Sequence, residues 1–301
     1  MRRKKNRSQA KIYQRINVCP IQIPPTTILN PIYHKPMREW LTEYSFEDGY
    51  KPFDPTIASQ ITEQLRQEGL DGLPETDDEM IDTFGVGWWK YDVEKAAELL
   101  EKNGFTQQDG KWHLPDGSLW TIELLTLKEG QTQQIRVGFA AAESWKKFGI
   151  DVNVIQVDSA AFGSAQNTGE YQLVTAWPSC GVIADISTQM STWRDVFVRP
   201  IGESASGNAA RWDSPEGTAM IDELLNMPRT DPQMVEKTTE LLKLMVDEVP
   251  FMPMYGAATF TPVDEYYWEG FPSAENPYAA PWQWWSNYKY VVPMLSSTGR
   301  E

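Results

Sequence analysis

The residues of this chain best suited to chemistry are tryptophans outside regular patterns. Trp282, Trp284 and Trp285 lie with Tyr278, Tyr288 and Tyr290 in the run Asn276-Pro-Tyr-Ala-Ala-Pro-Trp-Gln-Trp-Trp-Ser-Asn-Tyr-Lys-Tyr290, which has too many prolines and polar breaks to be a core strand throughout. Rigid aromatic faces cover flat apolar ligand surfaces at low entropic cost, and their N–H and O–H groups supply orientation. A second group is Trp177-Pro-Ser-Cys-Gly-Val-Ile-Ala-Asp185, with Trp193 beyond it. There a short apolar strand ends abruptly in a loop of small residues, where α/β folds often place ligand sites. Asp185 is suited to accept hydrogen bonds from ligand hydroxyls or an amine. The chemistry these six residues support (Trp177, Asp185, Trp193, Trp282, Trp284, Trp285) is non-covalent capture. The competing reading, that the rings close the bottom of a core, stays open for each and is strongest for Trp145, inside a helical stripe.

Covalent chemistry has little to work with. The sequence carries no G-x-S-x-G, H-E-x-x-H, Walker loop, G-x-G-x-x-G or calcium-loop pattern. His34 and His113 are far apart and lack metal-ligand spacing, as do Cys19 and Cys180, so no metal or cofactor is expected. Among 42 acidic residues some pair must lie close in space, which keeps a glycosidase-type acid and base as the rival reading, but nothing singles out a pair.

Charge narrows the partners. The net charge of −15 hides a split: the first fifteen residues hold Arg2, Arg3, Lys4, Lys5, Arg7, Lys11 and Arg15 and no acid, leaving 20 basic against 42 acidic residues beyond them. A body this acidic repels phosphate backbones and anionic lipid heads, so nucleic acid is not an expected partner. Residues 1–19 have the outline of an export signal ending at a lipid-attachment cysteine, but Lys11, Gln14 and Arg15 interrupt the apolar stretch, and no export signal is read in this chain.

The elements that must position these residues follow from period and caps. Residues 1–38 show no period and are rich in proline, and residues 39–84 read as helical in pieces, with a start at Asp54-Pro55 and a stop at Gly69. Asp92 caps a helix with Val93, Ala96, Ala97 and Leu100 on one face, ending at Gly104. Trp112–Leu114, the turn Pro115-Asp116-Gly117 and Leu119–Leu127 read as a hairpin. Residues 131–148 form a helix with Ile135, Phe139, Ala142 and Trp145 toward the core, and Ile150, Val152 and Val154 alternate as a strand. Tyr171–Trp177 is a short strand, and 186–197 is read as helical. Ser214-Pro215 and Asp231-Pro232 each place a cap before a proline at the first helical position, with stripes Met220, Ile221, Leu224, Leu225 and Met234, Thr238, Leu241, Met245. Short strands are expected at 251–255 and 257–263. Interleaved strands and helices give an α/β layered architecture.

With these elements in place, residues 88–262 resemble the extracytoplasmic solute-binding proteins of bacterial ABC importers, the oligopeptide/dipeptide/nickel-type family 5. The matching blocks are Tyr91-Asp-Val-Glu-Lys-Ala-Ala-Glu-Leu-Leu-Glu-Lys-Asn-Gly-Phe105, Asp109-Gly-Lys-Trp-His-Leu-Pro-Asp-Gly117 and Trp145-Lys-Lys-Phe-Gly-Ile-Asp-Val152. Gly169-Glu-Tyr-Gln-Leu-Val-Thr-Ala-Trp177, Trp212-Asp-Ser-Pro-Glu216 and Val249-Pro-Phe-Met-Pro-Met-Tyr255 follow in order. The resemblance implies a two-lobed, type II periplasmic-binding-protein fold that closes on ligand by hinge motion. It implies that 86–255 form the C-terminal lobe and that 256–301 return to the N-terminal lobe, with 39–85 a remnant of that lobe and its connection. A long N-terminal lobe and an export signal precede this region in the family. The chain is therefore expected to be a fragment of an extracytoplasmic protein, with 1–38 an irregular head, translated out of frame to about Pro25. A non-functional truncated product is the further alternative.

The resemblance also bears on ligand class. Peptide binders of this type carry an acidic residue shortly after the tryptophan matching Trp177, whereas this chain has Pro178-Ser-Cys-Gly181 there, and Asp185 comes later. Together with the tryptophan content this favours members that bind β-linked oligosaccharides such as cellobiose, with an oligopeptide as the alternative. The expected role is capture for import by ABC permease subunits, without enzymatic turnover, by a monomer.

Overall fold

The computed structural model describes residues 16–19, 34–176, 190–205, 207–228, 230–253, 263–273, 276, 278 and 289–300. Along the chain its elements are β1 (Ile16–Cys19), α1 (His34–Glu43), β2 (Phe53–Asp54), α2 (Ile57–Gln67), α3 (Asp77–Phe84), β3 (Trp88–Trp89), α4 (Val93–Lys102), β4 (Thr106–Gln108), β5 (Lys111–His113), β6 (Thr121–Leu127), α5 (Thr132–Lys147) and β7 (Asp151–Val157). They continue with α6 (Ser159–Thr168), β8 (Leu173–Thr175), α7 (Pro215–Asn226), α8 (Met234–Glu248), β9 (Phe251–Pro253), β10 (Trp268–Glu269) and β11 (Ser296–Ser297). The mixture is the α/β class that the sequence predicts. No helix among the described residues is long and apolar enough to cross a membrane.

The central sheet has the order β7-β6-β8-β1-β9, and each of its pairings is parallel. Its firmest part is β6–α5–β7, a crossover unit in which β6 and β7 pair over seven residues, from Thr121–Asp151 to Leu127–Val157. The second half of β6, Leu124 to Leu127, is buried without alternation because layers cover both faces of the sheet. On one face Phe105, Trp112, Ile122, Leu124, Ala142, Ile150, Val152 and Leu173 pack together, and on the other Leu125, Leu127, Phe162, Tyr171, Val174 and Ala176 do.

A third cluster is mainly helical. Met37 and Leu41 of α1, Ile81 of α3, Ile221 and Leu224 of α7, and Leu241, Leu242 and Met245 of α8 meet Phe53, Trp193, Trp212 and Phe251. Residues 37–86 thus share one core with α7 and α8. The caps behave as the sequence indicates at two starts: Asp92 Oδ1 accepts from Lys95 N at 2.8 Å and Ser214 Oγ from Gly217 N at 3.2 Å. Both expected stripes on α7 and α8 face this cluster.

Several expectations are corrected. The head is not wholly irregular: β1 lies between β8 and β9, with Asn17 opposite both Val174 and Phe251. A four-residue strand has no period of its own to read, and long-range pairing alone fixes it. β5 pairs with β4, Thr106 opposite His113, as well as with the start of the run after the Pro115 turn, where Leu114 N donates to Ser118 O at 2.8 Å and Trp120 N to Trp112 O at 2.9 Å. That run contributes a single bridge, Leu119 opposite His113, before it enters the parallel sheet as β6. Phe139 is exposed on α5, because the inward face is drawn one residue around the helix to Gln134, Gly138, Ala141 and Ala142. Gly138 lies so close to the sheet that a Cβ there would sit 3.1 Å from Thr175 Cγ2.

Of 186–197, residues 186–189 lie outside the described residues; Met190 is helical, and two 3-10 turns, Ser191–Trp193 and Asp195–Phe197, follow it. α8 begins at Met234, because Asp231 Oδ1 accepts from Gln233 N at 2.8 Å in a turn ahead of the helix. α2 likewise begins at Ile57, after Asp54 Oδ1 accepts from Thr56 N and Oγ1. Of the strand expected at 257–263, residues 257–262 lie outside the described residues.

Candidate functional site

A parallel sheet puts the carboxyl ends of all its strands on one edge, and in this sheet that edge is formed by Leu127, Val157, Thr175, Cys19 and Pro253. Chain departing from that edge, and the amino ends of the helices that follow, are the surfaces an α/β sheet offers to a ligand. Asp158, just past β7, is committed to local structure: its Oδ1 accepts from Ala160 N and Ala161 N, both at 2.9 Å, as the cap of α6. Beside it Gln156 Nε2 donates to Leu127 O at 3.2 Å, and Lys128 N donates to Val157 O at 2.8 Å, tying the ends of β6 and β7 together.

Polar atoms occur within the edge itself. Thr175 Oγ1 donates to Thr126 Oγ1 at 2.8 Å, joining β8 to β6, and both residues are fully buried. Gln134 of α5 is also buried. A layer of this kind is uncommon where Val or Ile is the usual filling, and it fixes the end of β8 by direction as well as by packing. Tyr171, at the entry to β8, donates its hydroxyl to Ala209 O at 2.6 Å, so this short strand is held at both ends.

Trp177 follows Thr175 by two residues in sequence, but Trp177 and Asp185 lie outside the described residues, as do Trp282, Trp284 and Trp285. Trp193 is described, and the structure corrects the expectation for it. Its side chain is only 4% exposed, in the helical core with its ring 5.1 Å from that of Phe251. It presents no face for stacking on a ligand. A ring at the base of a core was the competing reading, and neighbouring hydrophobic residues on α7 and α8 decide for it.

Around Trp193 the chain is held by a residue that the sequence does not single out. Asn208, buried and with a left-handed backbone (φ 45°), donates its Nδ2 to Trp193 O, Arg194 O and Trp212 O, while its Oδ1 accepts from Trp212 N at 2.8 Å. Asparagine is among the few residues that tolerate that conformation. Trp212 in turn donates Nε1 to Glu248 Oε2 at 2.7 Å. Arg211 plays a similar part nearby, donating to Arg199 O, Ala209 O, Asn167 O and Glu203 O. These clamps order an irregular stretch, 191–205 and 207–212, that has little secondary structure of its own. Among the described residues no three His, Cys, Asp or Glu side chains are grouped to hold a metal ion.

Comparison with known proteins gives the following. The model for "Bacterial extracellular solute-binding proteins, family 5 Middle" matches residues 40–196, a little over half of the chain. A Thermotoga maritima structure described as a mannohexaose-bound periplasmic oligopeptide-binding protein of an oligopeptide ABC transporter is similar at 22% identity and a TM-score of 0.58, over 95% of this chain and 52% of that one. A second structure of the same Thermotoga maritima oligopeptide-binding protein gives 22% identity and a TM-score of 0.59, over 92% and 51%. The chain thus spans about half the length of these structures. No curated protein matches it.

Proposed function

The chain belongs to the bacterial extracellular solute-binding proteins of family 5, and from that premise we propose that it captures an oligosaccharide outside the cytoplasmic membrane and presents it to the permease subunits of an ABC importer. The observation that carries this reading is the sheet edge itself. β8, β1 and β9 are adjacent, they end at the same edge, and Trp177 lies two residues past the end of β8 in sequence. A buried hydroxyl pair at the end of β8 gives that departure point a fixed direction. Stacking by Trp177, Trp282, Trp284 and Trp285 on pyranose faces, with Asp185 accepting from ligand hydroxyls, is the recognition we propose. Trp193 is a core residue and takes no part in that stacking.

The Thermotoga maritima protein, with mannohexaose in one of its structures, supports an oligosaccharide. The same protein is described as oligopeptide-binding, which favours a short peptide as the second reading. In both readings the ligand is held and released without a chemical step. We assign 86–255 to the C-terminal lobe and 256–301 to the return segment, with 1–38 as a head that contributes β1; 39–85, expected from the sequence to be a remnant of the N-terminal lobe and the connection, share a core with α7 and α8.

Titration of intrinsic tryptophan fluorescence separates the readings. β-Linked gluco- and manno-oligosaccharides are expected to give a saturable change, with short peptides giving a smaller one or none. A response to peptides alone selects the second reading, and silence toward both panels contradicts the proposal.

A further inference from the structure

Asn103-Gly104 is the only Asn-Gly step in the sequence, and it closes α4. Glycine leaves its own nitrogen open to the preceding side chain, since no Cβ stands in the way. Asn103 is the exposed C-cap, with φ −94° and ψ 10°, and Gly104 follows it with a left-handed φ of 86°. Two bonds hold the reacting groups apart: Asn103 Nδ2 donates to Leu99 O at 2.7 Å, and Gly104 N donates to Glu101 O at 2.9 Å. Both belong to the last turn of α4, and none of this helix's 10 residues is fully buried. A turn with so little burial opens more readily than the core beneath it. Just beyond the turn the chain is fixed: Phe105 is 2% exposed, its ring lies 4.9 Å from that of Trp120, and its N donates to Leu100 O at 3.1 Å.

We propose that Asn103 is a site of spontaneous covalent modification whose rate is set by opening of the last turn of α4. When the two bonds release, Gly104 N gives up its proton to solvent and attacks Asn103 Cγ. The N–Cγ bond forms, the Cγ–Nδ2 bond breaks, and Nδ2 leaves as ammonia, closing a cyclic succinimide. Water then opens the ring at either carbonyl, giving aspartate or an isoaspartate whose main chain runs through Cβ and Cγ. The sequence of steps consumes water, and nothing is oxidised or reduced. Each product loses the donor to Leu99 O and sets a carboxylate at the negative end of the helix, beside Glu101. The isoaspartate also lengthens the main chain by one carbon, two residues ahead of Phe105, and so shifts that ring against Trp120. Ala97 and Leu100 of α4 pack on the same cluster as Phe105, so the modification loosens the join between α4 and the sheet. None of this rests on the ligand reading.

Incubation of the 301-residue chain at mildly alkaline pH, followed by mass spectrometry, tests it. Cleavage after Lys102 and Lys111 isolates residues 103–111. In the folded wild type this peptide should acquire the mass of the acid form as two separable products, with isoaspartate the larger. Unfolding in urea should raise the rate about tenfold or more, and Asp92→Ala, which uncaps α4 at its other end, should raise it by a smaller factor. Asn103→Gln should keep its amide over the same interval, and its near-ultraviolet circular dichroism should hold constant while that of the ageing wild type declines. An Asn103 that stays intact in the folded chain, or a rate unmoved by urea or by Asp92→Ala, would overturn the proposal.

Discussion

Thr175 on β8 and Thr126 on β6 share a hydrogen bond of 2.8 Å between fully buried hydroxyls, at the carboxyl edge of the sheet and two residues before Trp177. Replacing either residue by valine keeps the shape and strands the other hydroxyl. Each single variant is expected to lose about 1–3 kcal/mol. The double valine variant should cost less than the sum of the two, because it leaves no orphaned group. Urea melts of the three variants check this, and strict additivity would show that the hydroxyls act independently.

Gly217, near the start of α7, lies under the ring of Trp212: a Cβ built there falls 2.3 Å from Trp212 Cη2. The ring cannot retreat freely, because its Nε1 is bonded to Glu248 and its backbone to Asn208. Gly217→Ala should therefore destabilise by about 1–3 kcal/mol in spite of alanine's better helix propensity. Thermal melting of the variant decides between the two effects, and a raised midpoint would mean that the ring gives way.

Tyr44 packs against Trp40 and Trp89, and burial together with the neighbouring Asp247 carboxylate pushes its hydroxyl up to about 12 from 10.0. A folded-state value above the unfolded one stabilises fully below the unfolded value and is lost as pH rises toward the folded one. Stability should fall between pH 10 and about 12, and Tyr44→Phe should flatten that part of the profile. An unchanged alkaline profile in the variant would contradict this.

Asp92 works in the opposite direction. Its carboxylate caps α4 and accepts from Tyr50 Oη at 2.8 Å. The hydrogen bond from Lys95 N, then that from Tyr50, holds it below the usual carboxylate range. Its contribution is present above the unfolded value and is lost as pH falls through the lower folded value, that is, below about 4. Asp92→Ala should lower the denaturant midpoint at neutral pH and lose less than the wild type on acidification, as denaturant midpoints across that range would show.

Helices with an acidic or hydroxyl cap and an unbroken apolar stripe are legible in the sequence, since Asp92, Ser214 and the set Met234, Thr238, Leu241 and Met245 each act locally. Other features depend on partners far away in the chain. Ile16–Cys19 is a strand only because Leu173–Thr175 and Phe251–Pro253 flank it, and Thr106–Gln108 is an exposed polar strand that only its hairpin with Lys111–His113 defines. Phe139 follows the helical period, yet the close approach of Gly138 to Thr175 decides which face turns inward. Thr76 and Glu79 form a capping box ahead of α3, a local Thr-x-x-Glu signal that the reading of 39–84 as helical in pieces misses. In the candidate site, local pattern could not tell a stacking ring from a core ring. Trp193 became a core residue through α7 and α8, which follow it in the chain.

The central claim, capture of an oligosaccharide at the sheet edge reached through Trp177, is tested most directly by isothermal titration calorimetry of the 301-residue chain and its Trp177→Ala variant with β-linked gluco- and manno-oligosaccharides. The account predicts saturable heat for the wild type, with affinity at least roughly tenfold weaker in the variant, about 1.4 kcal/mol. No heat with any sugar, or equal affinity in the two proteins, would contradict it.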